Sequence, residues 1–244
     1  MALIHIETVA EIASTNSALM ARLGAGDVAA EGYWLIADRQ SAGRGRAGRQ
    51  WSDGLGNFMG STVAHIGPGD PPAQTLSLVA GVALHRALVA CIGVTAGMIL
   101  KWPNDVLVAG AKLAGILLER RADAVVVGIG VNLVQAPDLP DRATVALAGL
   151  GHDLARDAFA QALADEWSAT LAHWHDGGWA ALRDDWQARA HPPGTPLSAR
   201  DPAAGLIEGT FAGLDTSGAA LLRLADGSCR AIHAGDIDIT PLKL

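Results

Sequence analysis

The 244-residue sequence predicts an α+β fold: strand-like segments arranged as a meander, helical segments set apart from them, and a run of short β segments at the end. Three observations predict it. MILKWPNDVLV, KLAGILLERR and AVVVGIGVNL (98–133) follow one another with only Gly-containing or polar turns between them, a meander and not a regular β–α–β alternation. Residues 71–91 and 154–190 carry helical patterns. After the linker signal HPPGTP (191–196), short strands alternate with Asp, Gly and Ser turns, as in a small β-barrel. This divides the chain into a main domain over residues 1–191 and a small one over 192–244.

Residues 1–10 read as a short strand. STNSALMARLGAG then reads as a helix, with Ser14 or Thr15 as N-cap and Gly24 and Gly26 as stops. GYWLIADRQ (32–40) is a strand that runs into SAGRGRAGRQW (41–51), and GNFMGSTVAHI (56–66) alternates as another strand. PPAQTLSLVAGVALHRALVAC (71–91) is an apolar helix after a proline start. Trp167, Trp174, Trp179 and Trp186 recur at helix-like spacing, which assigns them to core packing and not to an aromatic ligand box.

Composition excludes several functions. Half the residues are hydrophobic and 18% are charged, an ordinary globular balance. The net charge of −7 does not suit a nucleic-acid partner. Cys91 and Cys229 lie far apart without CxxC spacing, which argues against a metal cage or disulfide framework and fits a reducing cytoplasm. MALIHIETVAEIAS has no basic leader and carries Glu7 and Glu11, and the apolar run from Leu76 to Val89 is interrupted by His85 and Arg86. A soluble cytoplasmic protein with no membrane partner is the expectation.

SAGRGRAGRQW contains Gly43-x-Gly45-x-x-Gly48, the spacing of a dinucleotide fingerprint. That reading needs a helix opening at the last glycine. The following RQWSDGLGN holds two further glycines and an Asn, all poor in a helix interior. The arginines give the better reading. Arg44, Arg46 and Arg49 alternate with glycines that permit positive φ and close backbone approach, and their planar forks match carboxylate and phosphate oxygens. Lysine usage points the same way. Of 18 basic residues only Lys101, Lys112 and Lys243 are lysines, and the first two flank one expected hairpin. A compact ammonium suits point contact with a phosphate or carboxylate oxygen.

With STN (14–16), RQSAGRGRAGRQW (39–51), KWPND (101–105), KLAGILLE (112–119) and GIGVN (128–132) in this order, the sequence resembles the biotin protein ligases. The resemblance implies a mixed sheet flanked by helices, the class II synthetase-like fold of biotin and lipoate ligases, with a catalytic domain over 1–191 and an SH3-like barrel over 192–244. It implies activation of biotin by ATP to biotinyl-5′-AMP, then transfer to a lysine of the biotin carboxyl carrier domain of an acyl-CoA carboxylase. By motif, Ser14, Thr15, Asn16 and Gln40 line the ureido end of biotin, while Gly43, Arg44, Gly45, Arg46, Lys112 and Gly115 complete its pocket. Arg46, Arg49, Trp51, Lys101, Asn104, Lys112 and Asn132 border ATP. Lys112, Arg44, Arg46 and Asp105 are the candidate catalytic residues, Asp105 as the group that orients or deprotonates the acceptor amine. Mg²⁺ is expected to be held mainly by the phosphates, with no residue assigned to it and no tightly bound prosthetic group.

Because STN begins at residue 14, the resemblance points to the enzyme-only class without a winged-helix DNA-binding domain. A monomer and a homodimer fit equally. Two rivals remain: a lipoate or octanoyl ligase or transferase of the sister family, and a non-catalytic biotin sensor. An octanoyl transferase needs a nucleophilic cysteine beside its lysine, and neither Cys91 nor Cys229 falls in a motif.

Overall fold

The computed structural model describes residues 3–27, 29–94, 96–201, 205–233, 235 and 237–239; Lys243 lies outside the described residues. Among them, β1 (His5–Ile12), β2 (Tyr33–Gln40), β3 (Phe58–His65), β4 (Met98–Lys101), β5 (Asp105–Val108), β6 (Ala111–Arg121) and β7 (Ala124–Val131) form one sheet in the order β1-β2-β3-β7-β6-β5-β4. β1 and β2 run parallel and the other described pairs antiparallel, so the sheet is mixed as expected. The meander holds one more strand than its three apolar runs. MILKWPNDVLV is the β4–β5 hairpin, because Trp102 and Pro103, joined by a cis peptide bond, turn the chain where Pro103 has no N–H for the ladder.

Strand alternation gives the sheet two faces. Trp34, Ile36, Val125, Val127, Ile129 and Val131 face the larger core. That core is covered by α2 (Leu76–Ile92), α3 (Arg156–His175) and α4 (Trp179–Ala188). Leu35, Val63 and Val126 face the other side, where Leu19 of α1 (Thr15–Gly24) packs on them. Ser14 is the N-cap of α1 and its side chain accepts from Ser17 N. At ten residues α1 covers only part of its face.

The segment Ala73–Ile92 is long and apolar enough, by length and composition, to cross a membrane, although His85 and Arg86 interrupt its apolar run. In the fold Leu76, Val79, Ala83, Leu84 and Ala87 are buried in the larger core, and Arg86 pairs with Asp185 of α4 at 2.9 Å. Trp167, Trp174, Trp179 and Trp186 belong to the same core, as their spacing predicts.

HPPGTP is tied to the small sheet by Gly194 N–H donating to Phe211 O and Phe211 N–H to Thr195 O, both at 2.8 Å. Beyond it, β8 (Pro196–Asp201), β9 (Gly205–Leu214), β10 (Ala220–Arg223), β11 (Cys229–Ile232) and β12 (Ile237–Ile239) make an antiparallel sheet in the order β11-β10-β9-β8-β12. This corrects the expected barrel. Among the described residues the outer strands β11 and β12 are not hydrogen-bonded to each other, so the sheet stays open. Its apolar face, with Ile207, Phe211 and Leu222, joins the core of the larger layer.

Candidate active site

The face that α1 leaves uncovered becomes the floor of a cavity of about 1070 Å³. The floor is built from missing side chains. Gly128 on β7 lies between Ser61 on β3 and Leu117 on β6, and Gly130 is paired with Gly115. A Cβ at Gly128 would collide with Asn16 Oδ1, and one at Gly130 would collide with the Trp51 ring. Backbone alone at these positions lets the start of α1 and the arginine segment approach the sheet. Ser14, Thr15, Asn16 and Gln40 are each less than a tenth exposed and line one end of the cavity. There Thr15 N–H donates to Gln40 Oε1 at 2.8 Å.

The arginine segment is a tight hairpin. Arg44 and Gln50 form a bridge, Gly45 N–H donates to Arg49 O at 2.7 Å, and Trp51 N–H donates to Gly43 O at 3.0 Å. The glycines serve differently from one another. Gly48 takes positive φ (73°), as does its non-glycine neighbour Ala47 (53°), whereas a Cβ on Gly43 would lie 2.6 Å from Trp51 O. Gly43 therefore closes the base of the hairpin and does not line the cavity. Trp51 lies over the Gly115–Gly130 pair, with Lys112 Nζ 5.9 Å from the centre of its ring system.

Cations converge on the other end. Lys112 Nζ donates to Asp105 Oδ1 at 2.6 Å. Burial pushes the Lys112 ammonium below its ordinary pKa, and the Asp105 carboxylate opposes that shift. Arg46 donates from Nη1 to Asn104 Oδ1 at 3.0 Å and from Nη2 to Gly235 O at 3.2 Å, which ties the hairpin to both sheets. Burial lowers its pKa also, but a guanidinium stays charged. The KWPND turn is fixed to β6 by Asn104 Nδ2 donating to Ile116 O at 2.6 Å and Ile116 N–H to Asn104 O at 2.9 Å. Asn132 lines the cavity, with Nδ2 donating to Val145 O at 3.2 Å and Lys112 O at 3.4 Å, so it also clips the segment after β7 to β6.

Apart from Gly43, every residue given a binding or catalytic role from the motifs lines this one cavity, including Arg49, Lys101 and Trp51. Others that line it lie outside any motif: Arg142 and Thr144 from the segment clipped by Asn132, and Arg200 from β8. Among the described residues seven basic side chains face the cavity: Arg44, Arg46, Arg49, Lys101, Lys112, Arg142 and Arg200. Cys91 and Cys229 are free thiols and neither lines it.

Comparison with known proteins agrees with this geometry. Residues 10–133 match the biotin/lipoate A/B protein ligase family, and residues 199–239 match the biotin protein ligase C-terminal domain. The chain is 43% identical over 201 residues to a biotin–[acetyl-CoA-carboxylase] ligase of Paracoccus denitrificans, covering 78% of this chain and 83% of that protein. It is 35% identical over 241 residues to the Mycobacterium tuberculosis protein of the same name, covering 96% and 88%. Among solved structures it is similar to the biotin protein ligase from Aquifex aeolicus in complex with biotin and ATP. That match has a TM-score of 0.82 and 26% identity, covering 96% of this chain and 98% of that one.

Proposed function

The chain belongs to the biotin/lipoate A/B protein ligase family, and from that premise we infer that it is an ATP-dependent biotin protein ligase. It makes biotinyl-5′-AMP and passes the biotinyl group to a lysine of the biotin carboxyl carrier domain of an acyl-CoA carboxylase. One observation carries the assignment of roles: a single cavity lined by the buried neutral groups of Ser14, Thr15, Asn16 and Gln40 and, across the glycine floor, by the Lys112 and Arg46 cations. Such a cavity suits a ligand with a neutral polar head and an anionic tail.

Ser14, Thr15, Asn16 and Gln40 receive the ureido head. The valeryl chain runs over the glycine floor, where Trp51 now lies, and the carboxylate reaches Lys112 and Arg46. In the first step a biotin carboxylate oxygen attacks the α-phosphorus of ATP, and the bond to the bridging oxygen breaks to release pyrophosphate. Two anions must meet, and fixed cations such as Lys112 and Arg46 lower that barrier. In the second step the acceptor amine attacks the acyl carbon, AMP leaves with the electrons of the acyl–oxygen bond, and the amine gives up a proton. Asp105, one of the carboxylates lining the cavity, takes it. Closure of the arginine hairpin shields the mixed anhydride from water.

Mg²⁺ fits this site as an ion carried by the phosphates. One oxygen each of Asp105, Asn104 and Asp141 around the cavity is engaged, by Lys112, Arg46 and Arg142 in turn. When bound, the ion would supply charge neutralisation on the polyphosphate. The reading places the protein in the cytoplasm, without a nucleic-acid or membrane partner.

The test is mass spectrometry of the protein incubated with biotin, Mg·ATP and a carrier domain, with lipoate in a parallel reaction. A biotin-sized mass gain on the carrier lysine, with release of AMP, is expected. A gain with lipoate alone would move the protein to the sister family, and tight biotin binding without turnover would make it a sensor.

A further inference from the structure

A run of polar contacts, buried at Asn16, Ser61, Thr15 and Gln40, connects Arg44 at the start of the arginine hairpin with Asp53 just past its end. Arg44 Nη1 lies 2.8 Å from Glu119 Oε1, and Glu119 Oε2 accepts from Asn16 Nδ2 at 3.0 Å. Asn16 Oδ1 accepts from the Ser61 hydroxyl at 2.6 Å. Having given its proton to Asn16, Ser61 Oγ accepts from Thr15 Oγ1 at 2.7 Å. The Thr15 N–H holds Gln40 Oε1, and Gln40 N–H donates to Asp53 Oδ1 at 3.2 Å. The other Asp53 oxygen takes Arg39 Nε. The chain thus leaves the hairpin at Arg44 and returns just past it at Asp53.

We propose that Glu119 is a positioning residue that couples occupation of the ureido pocket to the seating of the arginine hairpin. The proposal rests on the biotin reading of the cavity. Glu119 does not line the cavity, so it acts through its partners. One of its oxygens fixes which way the Asn16 amide faces, and the other holds the first arginine of the hairpin. Ser61, fully buried, carries the same constraint to Thr15 and Gln40. Asn16, Ser61 and Thr15 are buried, so each of their donors is committed and a shift at one is felt by the next. A ligand that hydrogen-bonds Thr15, Asn16 or Gln40 stiffens the chain and with it the anchor of Arg44. By linkage, loosening Arg44 weakens the ligand.

The test reads tryptic cleavage after Arg44, Arg46 and Arg49 by mass spectrometry, without biotin and at saturating biotin, beside a calorimetric biotin titration. In the unaltered protein biotin is expected to slow cleavage. Glu119→Gln is expected to weaken biotin on the order of tenfold, the cost of one charge-assisted hydrogen bond. Once saturated, it should still be cleaved at close to the ligand-free rate. Ser61→Ala keeps the Arg44–Glu119 ion pair and should show the same loss of protection in milder form. A folded Glu119→Gln protein that saturating biotin protects like the unaltered one overturns the proposal. If Glu119→Gln does not fold by circular dichroism, full protection of Ser61→Ala overturns it. An unaltered protein that binds biotin without any protection overturns it too. An unaltered protein that does not bind biotin in the titration overturns the ligase reading instead, so the two failures are distinct.

Discussion

Lys112 sits where burial works against its charge and Asp105 works for it. A ligand carboxylate supplies a second anion beside the same ammonium and favours the charged form further. Lys112→Ala is therefore expected to cut adenylate formation by ~10²–10³, read as biotin-dependent pyrophosphate release. Asp105→Asn separates the half-reactions. We expect it to slow transfer from preformed adenylate to the carrier more than it slows adenylate formation, in single-turnover assays of each step, and equal effects would remove Asp105 as the proton acceptor. At this scale the legible residues were those concentrated in short motifs. Arg142, Arg200, Ser61 and Glu119 were not legible as site or supporting residues. Arg142 and Arg200 each stand alone in an unremarkable stretch and reach the cavity only through the clip at Asn132 and the docking of β8. Ser61 looks like an ordinary polar position on an alternating strand, and Glu119, although it ends KLAGILLE, receives no role until the register places both beside Asn16.

Among the elements, helices and long strands were legible because their apolar periods are strong, and the turn inside MILKWPNDVLV was not, because apolar residues continue on both sides of it. Helix α2 offers a test of its burial. His85 lies on it with Nδ1 buried and, among the described residues, without a hydrogen-bond partner. Burial, helped by Arg189, pushes its pKa down from 6.5 to about 4. The folded state keeps this ring neutral while the unfolded chain takes up a proton below its ordinary pKa. Stability from this group is then retained above pH 6.5 and falls as the pH drops toward 4. Denaturant unfolding at pH 7 and about pH 4.5 should show a smaller loss on acidification for His85→Leu than for the unaltered protein.

At the scale of the whole molecule, the small sheet is part of one body with the larger one. Trp102 Nε1 donates to Gly218 O at 3.0 Å and Trp179 Nε1 to Thr216 O at 2.7 Å, while Arg46 reaches Gly235 O. Trp102→Phe leaves the Gly218 carbonyl without its donor and should cost about 1–3 kcal/mol of stability in denaturant unfolding. The open edge of this sheet was not legible, since a run of short strands reads alike whether or not its ends meet. The gathering of seven of the chain's 18 basic residues around one cavity, on a molecule of net charge −7, has a kinetic consequence. The outer surface repels a long polyanion at a distance, while a small one such as ATP meets an attractive field only at the mouth. The fold thereby sorts anions by size before any of them makes a specific contact, and added salt blunts that sorting by screening the approach.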